Sequence, residues 1–298
     1  MRILVTGGTG FIGSNIVAEL LRLGHDVIIT GHDAEQKIPE FKGVMLQPSF
    51  VGLDWSSLGQ LDAIVHEAAI NDTQSQNSSE MMRANVDSSL ALFEYAAKNG
   101  CKNIVYASST AVYGDGPVPY SENQAPNPLT PYAKSKKVLE EKAVEFGNAN
   151  PGIVIVGLRY CNVYGPGESH KEKRASMVYQ IAQQMKKGSP RLFKSGEQKR
   201  DYIYIKDAVR ANILALKARK STVVNCGSGT ATSFNDLVRI LNGVLVVDRK
   251  PEYFENPFAS SYQSHTECDM SRAKEKLGFV PTYTIESGIA EYMNSGSL

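Results

Sequence analysis

The chain has 298 residues, of which 42% are hydrophobic, and a formal net charge of +1. This length suits one large domain or two modest ones, and the hydrophobic fraction can fill a sizeable core. A near-neutral charge without a basic run argues against a nucleic-acid partner or a membrane-surface partner. The longest apolar stretches have the length of strands, so we expect no transmembrane helix.

The cysteines and histidines are scattered along the chain and show no CxxC or other metal-ligand spacing. They are Cys101, Cys161, Cys226 and Cys268, together with His25, His32, His66, His170 and His265. We therefore expect reduced thiols in a cytoplasmic protein and no metal site. Met1 leads straight into a predicted core strand, so we also expect no signal peptide.

Three evenly spaced glycines, Gly7, Gly10 and Gly13, separate a predicted N-terminal strand from a helix of apolar period that begins near Phe11. Glycines in such a turn let the chain reverse tightly, bring backbone close to a pyrophosphate and pack the helix against the strand. The helix N-terminus adds free N–H groups and a partial positive charge. We predict a dinucleotide site formed by these glycines with Phe11 and Ile12, although a plain strand-turn-helix unit has the same pattern.

The second predicted strand, His25–Thr30, ends where a dinucleotide fold places the residue that contacts the adenosine ribose. An Asp at that point accepts a hydrogen bond from the 2′-hydroxyl and favours NAD. This chain has Gly31 followed by His32, so no carboxylate at position 31 repels a 2′-phosphate. We therefore predict NADP, with His32 or Lys37 on the phosphate, and keep NAD as the alternative.

Strands and helices continue to alternate along the chain. Buried strands are predicted at 61–66, 101–108 and 153–158, and helices at 80–99 and 130–146. This order predicts an α/β fold with a doubly wound parallel sheet of the Rossmann type, whose ligands lie beyond the carboxyl ends of the strands. We place the dinucleotide-binding domain at 1–164, with returns near 200–226, and a smaller, interwoven substrate-binding region at 165–298. Ala68 and Asn85 are further candidate cofactor contacts.

Tyr132 and Lys136 are four residues apart on a predicted helix and so share a face. An ammonium beside a phenol lowers the pKa of the phenol, which makes Tyr132 a candidate acid/base for a hydroxyl or ketone proton. Ser109, at the carboxyl end of a central strand, could hydrogen-bond the same oxygen. A Tyr-x-x-x-Lys pattern alone also fits an exposed helix pair, but beside the glycine turn and the Ser108-Ser109 loop it predicts a catalytic site.

Taken together, six motifs resemble the extended short-chain dehydrogenase/reductase family over nearly the whole chain. They are Gly7/Gly10/Gly13, His66–Ala69, Ser108–Gly114, Tyr132-x-x-x-Lys136, Arg159–Pro166 and Arg200–Tyr204. Family members act mostly on nucleotide-linked sugars. The resemblance implies that Ser109, Tyr132 and Lys136 are the catalytic set, with a substrate contact at Asn162 and a diphosphate contact at Arg200.

Two other reactions of this family are disfavoured by the loop after Ser109. Sugar dehydratases carry an Asp-Glu pair where this chain has Thr110 and Ala111, and nucleotide-sugar decarboxylases carry a Glu where Ala111 stands. Epimerases need neither acid, because they only remove a hydride and return it.

Three stretches resemble one subgroup of the family, the ADP-L-glycero-D-manno-heptose 6-epimerases. They are Asn162–Met177, Leu192–Asp201 and Asn256–Thr266. The resemblance implies that Lys171 is a second acid/base, which suits an inversion in which a ketone is protonated from two faces. His170 and Tyr262 are candidate substrate contacts in the same stretches. The alternative for Lys171 is a solvated charge cluster over residues 171–174.

The motifs thus indicate a cytoplasmic, NADP-dependent nucleotide-sugar epimerase that oxidises its sugar transiently. The subgroup resemblance implies ADP-D-glycero-D-manno-heptose as the substrate and a step of lipopolysaccharide core biosynthesis. A UDP-hexose 4-epimerase, a keto-sugar reductase and a non-catalytic dinucleotide sensor remain alternatives. Helices at the positions of 80–99 and 130–146 pair across subunits in many family members, which implies a homo-oligomer.

Overall fold

The computed structural model describes residues 1–31, 44–46, 55–71, 77–257 and 263–298. Its main sheet has seven strands in the order β10-β6-β5-β4-β1-β2-β3, and every neighbouring pair is parallel. These strands are β1 (Arg2–Thr6), β2 (Asp26–Thr30), β3 (Val44–Leu46), β4 (Ala63–His66), β5 (Asn103–Ser109), β6 (Val154–Tyr160) and β10 (Thr222–Cys226). The order runs outward from β1 in both directions, which confirms the predicted doubly wound parallel sheet.

Helices connect the strands and cover the sheet. They are α1 (Phe11–Arg22), α2 (Ser78–Met82), α3 (Ser88–Lys98), α4 (Pro131–Ala149), α5 (Met177–Met185), α6 (Ile205–Ala215), α7 (Phe234–Leu245), α8 (Ser271–Leu277) and α9 (Ile285–Asn294). The single helix predicted over 80–99 is wrong in one detail, because a π-helical turn at Arg83–Asp87 separates α2 from α3. Across the described ranges, no helix combines the length and the hydropathy that a bilayer crossing requires.

The two faces of the main sheet each have a hydrophobic core, because successive side chains of a strand point to opposite faces. Ile3 and Val5 of β1 belong to the core that includes Ile16 of α1. Leu4, between them, belongs to the core that includes Leu92 of α3 and residues of α4. Strands buried on both faces explain why β1, β4 and β5 read as continuous apolar runs in the sequence.

A smaller second layer is formed by strands after β6, and β10 of the main sheet lies between these strands in the chain. Its three-stranded sheet pairs β9 (Lys199–Tyr204) in parallel with β7 (Asn162–Tyr164) and antiparallel with β11 (Ala231–Ser233). A further parallel pair joins β8 (Arg191–Phe193) to β12 (Glu252–Phe254). Of the predicted returns near 200–226, the strand β10 joins the main sheet, whereas β9 joins the small sheet instead.

A buried ion pair fixes α4 against the central strands. Arg159 of β6 donates to both carboxylate oxygens of Glu140 on α4, at 2.9 and 2.6 Å, and the Ser108 hydroxyl donates to the same carboxylate at 2.5 Å. The two side chains are only 6% and 8% exposed, and the guanidinium lies 4.7 Å from the centre of the Tyr113 ring. Because α4 carries Tyr132, this pair holds the helix where the site needs it.

Replacing Glu140 with Gln should leave the buried Arg159 guanidinium without a counter-charge, so the free energy of unfolding should fall by about 3 kcal/mol. Urea denaturation at neutral pH, followed by circular dichroism, measures this change. Glu255→Gln removes the exposed partner of Lys194 and is the control, with an expected effect below about 0.5 kcal/mol. Equal effects of the two substitutions would contradict the role assigned to the buried pair.

Candidate active site

The turn between β1 and α1 is built for close backbone approach. Gly7 has a φ of +65°, and the Gly10 N–H donates to its carbonyl at 2.9 Å. A Cβ at Gly13 would lie 2.1 Å from the Gly7 carbonyl oxygen, and a Cβ at Gly7 would lie 2.9 Å from the Ala68 nitrogen. Among the described residues, no side chain caps the start of α1 at Phe11. This turn, with the free N–H groups of the helix, fits a dinucleotide pyrophosphate.

The end of β2 leaves no space for an acidic side chain. A Cβ at Gly31 would lie 2.2 Å from the Oγ1 atom of Thr9. A carboxylate at this position would therefore collide with Thr9, which gives a physical reason for its absence from the sequence. His32 and Lys37, predicted on the 2′-phosphate, lie outside the described residues.

A cavity of about 320 Å³ lies beyond the carboxyl ends of β4, β5 and β6. Many of the predicted site residues line it, namely Phe11, Ile12, Ser109, Tyr132, Lys136, Asn162 and Lys171. The wall also includes residues that the motifs did not single out as site residues, among them Glu67, Asn71, Tyr160, Cys161 and Arg174. The position at the carboxyl edge of the sheet is the one that the fold predicts for ligands.

Tyr132 and Lys136 share the face of α4 that meets this cavity, as predicted. Thr130 caps the helix and Pro131 opens it, which places Tyr132 in the first turn. The Lys136 ammonium donates to the Ala107 carbonyl at 2.8 Å and lies 5.8 Å from the centre of the Tyr132 ring.

The Lys136 ammonium is in an environment that disfavours its charge. The residue is 2% exposed. Burial lowers the pKa of Lys136 to about 8, while the nearby carboxylates of Glu67 and Glu140 act to raise it. The side chain therefore stays an ammonium at neutral pH by a narrow margin.

The pKa of Tyr132 corrects one prediction. Burial raises this pKa to about 12, a hydrogen bond with Ser109 lowers it, and the charge of Glu67 raises it further. The expectation that Lys136 brings the phenol toward neutrality is wrong for this arrangement, because the lost hydration outweighs the favourable interactions. At neutral pH the Tyr132 hydroxyl is protonated and can donate to a ligand oxygen.

Glu67 is a site residue that the sequence reasoning missed. It follows β4 directly, and its Oε1 atom accepts from the Tyr160 hydroxyl at 2.8 Å, which in turn accepts from Asn212 at 2.6 Å. Burial raises the pKa of Glu67 to about 7, against the lowering effects of the Tyr160 hydrogen bond and the Lys136 charge. The available signal was a carboxylate placed directly after a buried strand, within the motif His66–Ala69. Its near-neutral pKa is typical of an acid/base site.

Asn85 supports the loop that follows β4. Its side-chain oxygen accepts from the Ile70 N–H at 2.8 Å, and its amide donates to the Ile70 carbonyl at 2.9 Å and to the Ser135 hydroxyl at 3.0 Å. The Ala68 N–H in the same loop donates to Thr6 at 3.2 Å. The structure thus gives Asn85 a positioning role, and direct cofactor contacts of Asn85 and Ala68 stay predictions.

Lys171 reaches the cavity from the second layer. It lies in the 3₁₀ turn Ser169–Arg174, and its ammonium is 5.2 Å from the centre of the Phe11 ring. Burial lowers the pKa of Lys171, the charge of Glu168 opposes this, and Arg174 adds to it. Both Lys171 and Arg174 line the cavity, which disfavours a purely solvated charge cluster.

Glu168 fixes the turn that carries Lys171. It is 0% exposed, and its carboxylate accepts from the Gly165 N–H at 3.0 Å and from the Ser176 N–H and hydroxyl at 2.6 and 2.9 Å. The Lys171 N–H also donates to the Glu168 carbonyl at 2.9 Å. One buried carboxylate therefore joins both ends of the segment and sets the position of the lysine.

The structure places one of the predicted substrate contacts in the cavity wall and does not place the others there. Asn162 lines the cavity, and its amide donates to the Asp201 carbonyl at 3.0 Å. Among the residues that the structure describes, the cavity wall includes neither half-buried Arg200 nor exposed His170. Tyr262 lies outside the described residues. Substrate contacts at Arg200, His170 and Tyr262 therefore stay predictions.

Comparison with known proteins decides the family. Residues 3–227 match the NAD dependent epimerase/dehydratase family. The chain belongs to this family. This match confirms the family resemblance that the motifs indicated. The protein is an enzyme of the NAD-dependent epimerase type.

Similar proteins cover nearly the whole chain. The ADP-L-glycero-D-manno-heptose-6-epimerase of Alkalilimnicola ehrlichii is 32% identical over 98% of this chain and 97% of that protein. The crystal structure of the Helicobacter pylori ADP-L-glycero-D-manno-heptose-6-epimerase superposes with a TM-score of 0.90 at 36% identity, covering 99% of this chain and 95% of that one. The UDP-glucose 4-epimerase of Thermotoga maritima with UDP-glucose gives a TM-score of 0.90 at 30% identity, covering 99% of both chains.

The protonation of Glu67 should make stability depend on pH. Its pKa of about 7 in the folded chain lies above the ordinary 4.5, so the folded state binds more protons between these values and stability falls as the pH rises through this window. Glu67→Gln removes that loss. The variant's free energy of unfolding minus that of the parent chain should therefore be about 2 kcal/mol more positive near pH 8 than near pH 5, which means that the variant gains stability at the higher pH.

Urea denaturation at the two pH values measures this difference. Glu252→Gln, at an exposed position of β12, is the control and should shift stability equally at both pH values. A pH-independent offset for Glu67→Gln would contradict the raised pKa.

Proposed function

We propose that this protein is a nucleotide-sugar epimerase that inverts C6 of ADP-D-glycero-D-manno-heptose with tightly bound NADP. The observation that carries the proposal is the placement of Lys171 in the same cavity wall as Tyr132 and Lys136. Inversion through a ketone needs proton transfer at an oxygen that is presented in two orientations, and the cavity offers a phenol and an ammonium for this task. Similarity to two proteins named for this reaction supports the choice of sugar.

The cofactor part of the proposal depends on the glycine turn and on Gly31. The turn fits a pyrophosphate, and a Cβ at Gly31 would collide with Thr9, so position 31 itself cannot carry a carboxylate that would disfavour a 2′-phosphate. NAD stays the alternative, since the family is named for NAD dependence. When bound, the dinucleotide accepts a hydride from the sugar carbon and returns it to the opposite face.

Proton transfer at the sugar oxygen falls to the residues around Tyr132. Ser109 hydrogen-bonds the oxygen, and Tyr132 exchanges the proton with it. Burial keeps the Tyr132 hydroxyl protonated in the described chain. We assign to the Lys136 ammonium, held by the Ala107 carbonyl, the task of favouring the phenolate that Tyr132 needs when it removes a proton. Glu67 balances the charge of Lys136 from the cavity side.

Lys171 serves the oxygen in its second orientation. Its ammonium enters the cavity beside Phe11, from the layer that does not carry Tyr132. Burial lowers the pKa of Lys171, which makes it a stronger proton donor than an exposed lysine. The alkoxide that forms when the hydride returns therefore receives its proton from Lys171.

A UDP-hexose 4-epimerase is the second candidate. The Thermotoga maritima protein with this activity has nearly the same fold over the full length, and the reaction needs Ser109, Tyr132 and Lys136 but not Lys171. A keto-sugar reductase is the third and would consume NADPH in every turnover.

Purified protein should interconvert the D-glycero and L-glycero forms of ADP-manno-heptose without added cofactor. Proton NMR of the product gives the configuration at C6, and the absorbance of the reduced cofactor should not change in the steady state. Inversion of UDP-glucose but not of the ADP-heptose would favour the second candidate. Net oxidation of added NADPH would favour the reductase, and no conversion of either sugar would contradict the proposal.

Lys171→Ala should lower the epimerisation rate by about 100-fold or more, because the oxygen loses its proton donor in the second orientation. Transient reduction of the bound cofactor on mixing with the sugar should persist, since Tyr132 still removes the first proton. Stopped-flow absorbance and product analysis separate the two steps. Lys187→Ala, at an exposed position, is the control. Full activity of the Lys171 variant would point to the 4-epimerase.

We also infer a cytoplasmic homo-oligomer that joins through α3 and α4 and supplies lipopolysaccharide core biosynthesis. A groove between these helices is lined by Leu90, Ala97, Phe146 and Ala149, and Val144 on α4 is 55% exposed. Such a surface suits the same helices of a second copy. Light scattering should give a multiple of the 32.6 kDa chain mass, and a monomer at micromolar concentration would contradict the inference.

A further inference from the structure

Two cysteines that are 107 residues apart in the sequence meet where the main sheet joins the second layer. Cys161 joins β6 to β7, and Cys268 lies in the segment that pairs with Tyr120. Their sulfur atoms are 2.7 Å apart, and the residues are 8% and 2% exposed. This separation is only about 0.7 Å longer than the roughly 2.05 Å bond of a disulfide.

A shared metal ion does not explain this contact. Asp201 lies close to both sulfur atoms, but its carboxylate is already occupied. One oxygen accepts from the Ser228 N–H and hydroxyl, both at 2.7 Å, and the other accepts from the N–H groups of Gly229 and Cys268 at 3.0 and 3.1 Å. Two thiolates on a tetrahedral zinc ion would also lie about 3.8 Å apart. The geometry favours a covalent bond between the two sulfurs.

We propose that Cys161 and Cys268 form a disulfide when the protein meets hydrogen peroxide, which makes this pair a covalent modification site where the main sheet meets the second layer. Each thiol gives up its proton and one electron, and the two sulfurs become bonded. The peroxide takes up the two electrons and two protons and leaves as two waters.

Both cysteines line cavities that a small oxidant can enter. Cys161 lines the active-site cavity. Cys268 lines a second cavity together with Pro119, Met270 and Phe279. The first oxygen transfer can therefore occur at one sulfur, and the neighbouring thiol then displaces water from it.

The bond would join two segments that the fold already holds together. The Asn162 amide lies 3.4 Å from the Thr266 hydroxyl, which also accepts from the Asp201 N–H at 3.2 Å. Cross-linking the neighbours of Asn162 and Thr266 thus requires little backbone movement. The bond would close a loop of roughly a hundred residues, a length at which cross-links restrict the unfolded chain strongly.

Reaction conditions follow from the environment of the thiols. Burial raises the pKa of Cys161 and of Cys268, and the charge of Asp201 acts in the same direction. Thiolate is the reactive form, so oxidation should be slow at neutral pH and is best followed at about pH 8.5.

Thiol counting on the purified full chain tests the proposal. Protein treated with hydrogen peroxide is unfolded, alkylated with N-ethylmaleimide and weighed by mass spectrometry, and its peptides are mapped without reductant. The reduced chain has four cysteines and should take up four maleimides. The oxidised chain should take up two, with the peptides of Cys161 and Cys268 linked. Four maleimides after treatment, or a link between another pair, would overturn the proposal.

Single substitutions identify the pair. The Cys161→Ser and Cys268→Ser variants should each still have three free thiols after treatment. Cys101→Ser is the matched control, since Cys101 is equally buried in the other core, and this variant should still lose two thiols. If a variant fails to fold, the untreated and oxidised parent chains suffice. Oxidation should raise the midpoint of thermal unfolding, and dithiothreitol should reverse the shift.

This test is independent of the proposed function. Thiol counts and unfolding midpoints do not depend on which sugar the enzyme converts, so the disulfide can fail while the epimerase activity is found. Conversely, the disulfide can be found in a protein that shows no epimerase activity.

Discussion

The active-site cavity depends on how one positive charge is kept away from water. The Lys136 ammonium is buried at the edge of the main sheet, and a charge in such a place costs several kcal/mol unless it is balanced. The Ala107 carbonyl gives it a hydrogen bond. The charges of Glu67 and Glu140 both favour the ammonium. Because Glu140 is already paired with Arg159, Glu67 supplies the balancing charge from the cavity side. Residues from two strands and one helix thus surround a single ammonium. The environment of the Tyr132 phenol beside it depends on all three elements.

Buried carboxylates hold the second layer in a different way. Glu168 accepts backbone N–H groups from both ends of the Lys171 turn, and Asp201 accepts from Ser228, Gly229 and Cys268. Each carboxylate satisfies several loop N–H groups that no strand or helix satisfies, which stabilises the ionised form as well as the loop. Strands of only three residues can then form a layer, because side chains fix the loops that connect them.

Much of the fold was predictable because its signals are local. The glycine turn before Phe11 and the apolar strands that end at His66 and Ser109 follow from spacing and hydropathy within a few residues. The π turn around Asn85 was not predictable, since one extra residue in a helical turn hardly changes the apolar pattern. Tertiary packing decided the rest of the site. It set the pKa of Tyr132 through burial, and it brought Cys161 beside Cys268 across a separation that no spacing rule connects.

The division into two layers also bears on how an epimerase differs from a dehydrogenase. A dehydrogenase needs one proton-transfer group on one side of the reacting oxygen, a task that the proposed mechanism gives to Tyr132 on α4. An enzyme that returns the hydride to the other face must let the sugar change its orientation and then serve the same oxygen again. Tyr132 comes from the main sheet layer, whereas Lys171 comes from a turn that Glu168 holds through its side chain. In the proposed mechanism the main sheet therefore sets the hydride site, while the second proton donor belongs to the second layer, so that each orientation of the sugar has its own proton-transfer group.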